Sequence, residues 1–119
     1  MKYIDGFLLV VPKKKMAAYA ALAKQAARLW KQHGALEYRE CAAEDLRAQC
    51  GMPFGKRAGA KAGEIVVFAW IVYRSRAHRD RVNKKVMADP RLAAMCSPDS
   101  MPFDVARMSH GGFQVFVDA

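Results

Sequence analysis

The stretch Glu64–Tyr73, EIVVFAWIVY, constrains the fold of this 119-residue chain more than any other segment. It carries a single charge, at its first residue, and is rich in β-branched and aromatic side chains, which favours a β-strand. Successive side chains of a strand point to opposite faces. One face would carry Val66, Phe68, Trp70 and Val72, and the other Ile65, Val67, Ala69, Ile71 and Tyr73. Both faces are apolar, so both require a cover.

The composition indicates one soluble domain spanning residues 1–119. Hydrophobic residues make up 53% of the chain, so we expect a packed core. The longest wholly apolar run, Ile65–Tyr73, is far shorter than the roughly 20 residues of a membrane helix. Asp5 interrupts the apolar N-terminal segment and Lys13–Lys15 follow it, which is not the order of a signal peptide. We therefore expect a cytoplasmic protein that makes no membrane contact.

The cysteines and histidines, the residue types that most often bind transition metals, are widely spaced along the chain. They comprise Cys41, Cys50, Cys96, His33, His78 and His110. The sequence contains no C-x-x-C, H-x-H or H-E-x-x-H spacing, so it predicts reduced thiols, no metal site and no cofactor.

The order of predicted elements is β-α-β-β-α-β. The segments are a strand Tyr3–Val11, a helix from Lys13 to about His33, a strand from Ala35 to about Glu44, an irregular segment Asp45–Gly63, the strand Glu64–Tyr73, a helix from Ser75 to about Ala88, a short helix Arg91–Cys96, a turn-rich linker Ser97–Pro102 and a strand Arg107–Val117. This order is typical of the ferredoxin-like α+β fold, a four-stranded antiparallel sheet with both long helices on one face. The first and third strands would form its centre, and the more polar second strand an edge.

Three positions mark helix ends. Gly34 follows the first helical pattern, where a C-cap glycine belongs. Ser75 precedes the second helix as an N-cap. Asp89 with Pro90 suits the start of the short helix, because Asp caps and Pro fits the first turn.

Two helices cover one face of such a sheet and leave the other bare. The bare face would show either Phe68 and Trp70, or Ile65, Val67 and Ile71. An exposed apolar patch of that size normally marks an interface. We therefore predict a homodimer in which two sheets pack face to face across a two-fold axis, a dimeric α+β barrel.

A set of ordered motifs covers nearly the whole chain. They are D-G-F at Asp5–Phe7, P-K at Pro12-Lys13, H-G-A-L at His33–Leu36, V-V-F-A-W-I at Val66–Ile71, R-D at Arg79-Asp80, K-V-M-A-D-P-R at Lys85–Arg91, M-P-F-D at Met101–Asp104, R-M at Arg107-Met108 and G-G-F at Gly111–Phe113. Together they resemble the YbaA-like bacterial family, known as domain of unknown function 1428. The resemblance implies a dimeric α+β barrel with no established activity. The chain departs from the family pattern at Ala69, typically Ser, and at Val105-Ala106, typically Gly-Lys.

Asp5 is the main candidate for chemistry, with His110 as a second catalytic candidate. A carboxylate inside an apolar central strand acquires a raised pKa when buried, which suits a general acid or base. The alternative is a structural ion pair with a lysine or arginine. Ser109 and His110 are adjacent and would point to opposite faces of a strand, which disfavours a catalytic triad. The candidates for lining a ligand pocket are Trp70, Phe103, Asp104 and Arg107.

The formal net charge of +9 attracts anions, from acidic metabolites to nucleic acid. The Ser75–Ala88 helix and the Asp45–Gly63 segment, a mobile linker or a lid, carry many of the basic residues. The RNP1 pattern of RNA-binding domains is absent. The sequence therefore favours a homodimer that binds a small apolar or anionic molecule, with cofactor-free catalysis as an extension. A basic RNA-associated module and a scaffold without catalysis are the alternatives.

Overall fold

The structure is a computed structural model that describes residues 1–97 and 101–119. Its elements are β1 (Tyr3–Pro12), a 3-10 turn (Lys13–Lys15), α1 (Met16–Gln32), β2 (Glu37–Ala42), α2 (Phe54–Arg57), β3 (Glu64–Tyr73), α3 (Arg76–Ala88), α4 (Pro90–Met95), a second 3-10 turn (Val105–Arg107) and β4 (Ser109–Gln114). Part of the predicted linker Ser97–Pro102 lies outside the described residues.

The four strands form one antiparallel sheet in the order β2-β3-β1-β4. The predicted ferredoxin-like fold, with the first and third strands at the centre, is confirmed. The two edge strands are shorter than predicted. At β4 the reason is local, because the Asp104 side chain accepts a hydrogen bond from the backbone N–H of Ala106 at 3.0 Å and holds a 3-10 turn before the strand. The irregular segment Asp45–Gly63 contains the single turn of α2.

The register of the two central strands decides which side chains share a face. Asp5 pairs with Ile71 and Gly6 with Trp70, so Asp5 and Trp70 point to opposite sides of the sheet. On the Asp5 side, β1 and β3 pack against α1 and α3, with core residues Leu9, Val11, Tyr19, Leu29, Val67, Ile71, Tyr73, Val82 and Val86. We call this side the helix face.

The opposite side, here called the open face, carries a row of apolar side chains. They are Ile4, Leu8, Phe68, Trp70 and Phe113. Phe68 is 45% exposed and Phe113 is 65% exposed. The ring of Phe54 in α2 lies 6.0 Å from that of Phe68 and borders this face without closing it.

The predicted helix ends are confirmed. Ser75 Oγ accepts a hydrogen bond from the His78 backbone N–H at 3.1 Å, and Asp89 Oδ1 accepts one from Arg91 at 2.9 Å. Asp89 also lies 2.8 Å from His33 Nε2, so one carboxylate joins the end of α1 to the start of α4. Among the described helices, none has both the length and the apolar character that crossing a membrane requires.

Replacing Gly34 by alanine tests the turn that follows α1. Gly34 has a φ of +114°, a conformation that strains any residue with a Cβ, although the added atom would itself meet only ordinary contacts. We expect Gly34→Ala to lower the free energy of unfolding by about 1–2 kcal/mol in urea titrations. The control is Gly55→Ala in α2, where φ is not positive and the new Cβ would lie 3.9 Å from Leu46. Equal stability of the two variants would contradict this explanation.

Candidate functional site

A cavity of about 430 Å³ lies between the helix face of the sheet and the helices. Its floor is formed by strand residues that include Asp5, Phe7, Ala69, Ile71 and His110. Helices α1 and α3 form the walls, and α4 and residues 101–108 border the remaining side. The lining is mainly apolar, with a few polar groups on the sheet and on α3.

Small side chains keep this space open. Ala23 and Ala26 of α1 and Ala69 of β3 all line the cavity. Leucines at these three positions would fill the volume between helix and sheet. The alanines therefore leave room between helix and sheet at this point.

Asp5 lies on the cavity floor with 7% of its surface exposed. Its Oδ1 accepts a hydrogen bond from Arg79 Nη1 at 3.0 Å, and its Oδ2 lies 3.5 Å from Asn83 Nδ2. Burial raises the pKa of Asp5, and the nearby Arg79 charge only partly opposes that effect. Asp5 thus forms the structural ion pair that was the alternative, and it also faces the cavity, where its catalytic role stays a prediction.

Asn83 fixes the geometry around Asp5. Its Oδ1 accepts hydrogen bonds from Trp30 Nε1 at 3.1 Å and from the Tyr73 hydroxyl at 3.2 Å. The indole N–H of Trp30 can only donate and so requires the amide oxygen, which turns the amide nitrogen towards Asp5. The network joins α1, β3, α3 and β1. Arg79 adds a cation–π contact, with its Cζ 4.9 Å from the centroid of the Tyr3 ring.

A second carboxylate, Glu40 of β2, also lines the cavity. Its Oε1 accepts a hydrogen bond from the Tyr19 hydroxyl at 2.7 Å, and its Oε2 accepts one from the Tyr38 hydroxyl at 2.9 Å. Burial, reinforced by the Glu40 charge, raises the pKa of both tyrosines, so they stay protonated. Sequence reasoning missed Glu40 as a site residue, although Tyr38 and Glu40 are two residues apart and therefore lie on the same face of the strand.

The other predicted site residues fall into two groups. His110 and Phe103 line the cavity with Asp5; the His110 ring stacks on Phe7 at 6.0 Å between centroids, and the Phe103 ring meets the Tyr19 ring edge-on at 5.5 Å. Trp70 does not join them, because it lies on the open face.

Asp104 and Arg107 sit beside the cavity and do not line it. Arg107 makes a two-pronged ion pair with Glu64, with distances of 2.6 and 2.8 Å, and its Nη2 also donates to the Gly59 carbonyl at 2.8 Å. Hydrogen bonds from Arg107 lower the pKa of Glu64 to about 2. In this structure Arg107 joins the 3-10 turn before β4 to the start of β3.

Within residues 1–97 and 101–119, no group of three His, Cys, Asp or Glu side chains is arranged to hold a metal ion. The three cysteines are exposed and unbridged.

Fold and cavity together define a ferredoxin-like α+β domain with a mainly apolar cavity that contains two carboxylates. The chain belongs to the family described as protein of unknown function DUF1428, which matches residues 2–105. It is 44% identical over 118 residues to the uncharacterized protein YbaA of Escherichia coli K12, covering 99% of each chain. The YbaA protein of Shigella flexneri matches equally well, with 44% identity and the same coverage. The resemblance seen in the sequence motifs is confirmed.

Two solved structures share the fold at low sequence identity. An uncharacterized NIPSNAP domain protein from Burkholderia xenovorans superposes with a TM-score of 0.59 at 16% identity, covering 100% of both chains. A dimeric ferredoxin-like protein from an uncultured marine organism superposes with a TM-score of 0.54 at 11% identity, covering 99% of this chain and 98% of that one. These likenesses support the fold alone.

The raised pKa of Asp5 gives a direct test of its environment. We expect its side-chain carboxyl carbon, followed by NMR, to titrate above the ordinary value of 3.8. Arg79→Gln removes the largest lowering influence, so the midpoint should move further up. Asp45 is the internal reference, because hydrogen bonds from Arg47 lower its pKa. An Asp5 midpoint at or below 3.8 in the native protein would contradict the effect of burial described above.

Proposed function

We propose that this protein is a homodimer in which the cavity of each subunit binds a small, mainly apolar molecule. The observation that carries the proposal is the cavity itself. Its volume of about 430 Å³ lies within the range typical of small-molecule sites, roughly 300–1,000 Å³. Apolar walls with a few convergent polar groups are also characteristic of such sites.

The open face supports the dimer. Phe68 and Phe113 are too exposed for a sheet that remains alone in water. Two copies related by a two-fold axis would bury this face in both subunits, because the same patch serves each partner. One solved structure with this fold is described as dimeric. The predicted barrel thus agrees with the surface that the helices leave uncovered.

A catalytic role for Asp5 and His110 is a prediction that extends the proposal. Both line the cavity, and a buried carboxyl group with a raised pKa is suited to act as a general acid or base. Such a reaction would use no cofactor, as the sequence predicted.

Filling the cavity should weaken ligand binding. Ala26→Leu places a larger side chain in the cavity wall, and we expect it to weaken binding of the neutral fluorescent probe N-phenyl-1-naphthylamine by about tenfold or more. Fluorescence titration measures the effect. Ala21→Leu, on the exposed side of the same helix, is the matched control and should bind the probe like the native protein. Unchanged binding by Ala26→Leu would overturn the proposed binding site.

Placing a charge on the open face should separate the subunits. Phe68→Lys would put an ammonium group into the proposed interface, where it has no partner. We expect light scattering after size exclusion to give the mass of two chains for the native protein and of one chain for the variant. Ala21→Lys, on the solvent side of α1, should remain dimeric. A monomeric native protein at micromolar concentration would contradict the proposal.

A further inference from the structure

The charged groups that face the cavity are mostly acidic. Asp5 and Glu40 are set against one guanidinium, that of Arg79, and no other lysine or arginine lines the described walls. The charge of Arg79 is already paired, since its Nη1 donates a hydrogen bond to Asp5 at 3.0 Å and its Nε lies 2.9 Å from Asp80. The Nε contact is an ion pair without a hydrogen bond, so among the described residues this buried nitrogen has no hydrogen-bond partner. The remaining ionisable groups are His110, Cys96 and two tyrosines. A ligand carboxylate or phosphate would therefore face two carboxyl groups and no unpaired lysine or arginine.

The polar surface around Glu40 accepts hydrogen bonds and has no proton left to give. The hydroxyl protons of Tyr19 and Tyr38 are both donated to Glu40. These three side chains still offer acceptor sites, one on each phenolic oxygen and about two more on the carboxylate. A ligand that makes a hydrogen bond here has to supply the donor.

The apolar part of the lining suits a flat ring. Phe7, Trp30 and Phe103 provide aromatic surfaces. Thioethers line the cavity as well, from Met87, Met95, Met101 and Met108. Methionine side chains adapt their shape and make favourable contacts with aromatic rings through sulfur.

We propose that the cavity selects neutral aromatic molecules that carry a hydrogen-bond donor, such as phenols, and that Glu40 with Tyr19 and Tyr38 accepts that donor. This inference rests on the proposed function and narrows it. The sequence left open whether the ligand is apolar or anionic, and the inference favours the apolar type. The cavity disfavours anions, although the net charge of the chain is +9. The basic surface and the acidic cavity thus prefer opposite kinds of ligand.

Three naphthalene probes at pH 7 distinguish the effect of a hydrogen-bond donor on the ligand from the effect of a negative charge. They are 2-naphthol, 2-methoxynaphthalene, which lacks the donor, and 2-naphthoate, which is an anion. Binding is measured by amide chemical-shift titration, which also identifies the residues that each probe contacts. We expect 2-naphthol to bind about tenfold more tightly than 2-methoxynaphthalene, as one hydrogen bond to a charged acceptor predicts. 2-Naphthoate should bind the cavity more weakly than both.

Glu40→Gln should reduce the preference for 2-naphthol over 2-methoxynaphthalene several-fold, because it removes the charge from the acceptor. Glu37→Gln is the matched control, since Glu37 is on the same strand and pairs with Arg39 on the open side. Retention of the full preference in Glu40→Gln would overturn the assignment to Glu40. If that variant does not fold, the ranking of the three probes on the native protein decides alone.

Cavity binding of 2-naphthoate as tight as that of 2-naphthol would overturn the selection proposed here and leave the binding site itself intact. 2-Naphthoate could also shift the amide signals of exposed basic residues alone. If those shifts disappear at high salt, they report attraction to the surface, and the cavity has then excluded the anion. Absence of binding by all three probes, together with unchanged N-phenyl-1-naphthylamine fluorescence in Ala26→Leu, would overturn the proposed function as well.

Discussion

The pairing of β1 with β3 is the constraint on which the rest of the molecule depends. Both strands are apolar on both sides, and they pair without interruption from Tyr3 opposite Tyr73 to Pro12 opposite Glu64. The helices cover one side completely enough to leave Val11 and Tyr73 at 0% exposure. The same chain has no third long helix in its described residues for the other side. Because the two long helices cover one side of the sheet only, one face is covered by helices and the other is an open apolar face.

Burying Asp5 in this sheet is costly unless its charge is compensated, and the compensation explains much of the polar architecture. Arg79 supplies the countercharge, and Asn83 presents its amide nitrogen because Trp30 and Tyr73 occupy its oxygen. The network links four elements through one carboxylate. It also holds Asp5 at the cavity floor in a fixed orientation, which any ligand-directed role requires.

The fold could be predicted because it depends on local patterns. Alternation in Glu64–Tyr73, the glycine after α1 and the caps Ser75 and Asp89 are each decided within a few residues, and the structure confirms them. The site depends on register and on distant pairs. That Trp70 lies away from Asp5 follows only once Gly6 is known to pair with Trp70. Arg107 forms its ion pair with Glu64, 43 residues away in the sequence, and no motif indicates that pairing.

Glu40 shows a second reason why the site could not be predicted from the sequence. A polar residue in a short edge strand is ordinarily read as solvent-facing. Here its neighbours across the sheet are Ala69 and, beyond that, Phe7, and Tyr19 of α1 contacts it from the helix face. Tertiary packing converts the edge position into a half-enclosed one, and the two tyrosines make it tolerable by donating to both carboxylate oxygens. Spacing alone identifies none of these partners, because Tyr19 belongs to another element.

The cavity and the open face meet at the paired strands β1 and β4. Phe7, His110 and Gly111 border both, so the β1–β4 edge forms part of the cavity lining and part of the open-face rim. β4 has six residues, of which Gly111 and Gly112 carry no side chain, and among the described strands it pairs with β1 alone. Packed interfaces transmit small shifts because they do not deform continuously. In the proposed dimer, contact of a second subunit with the open face would therefore fix the same strand that places His110 in the cavity, so the proposed assembly and the proposed ligand binding would depend on one another.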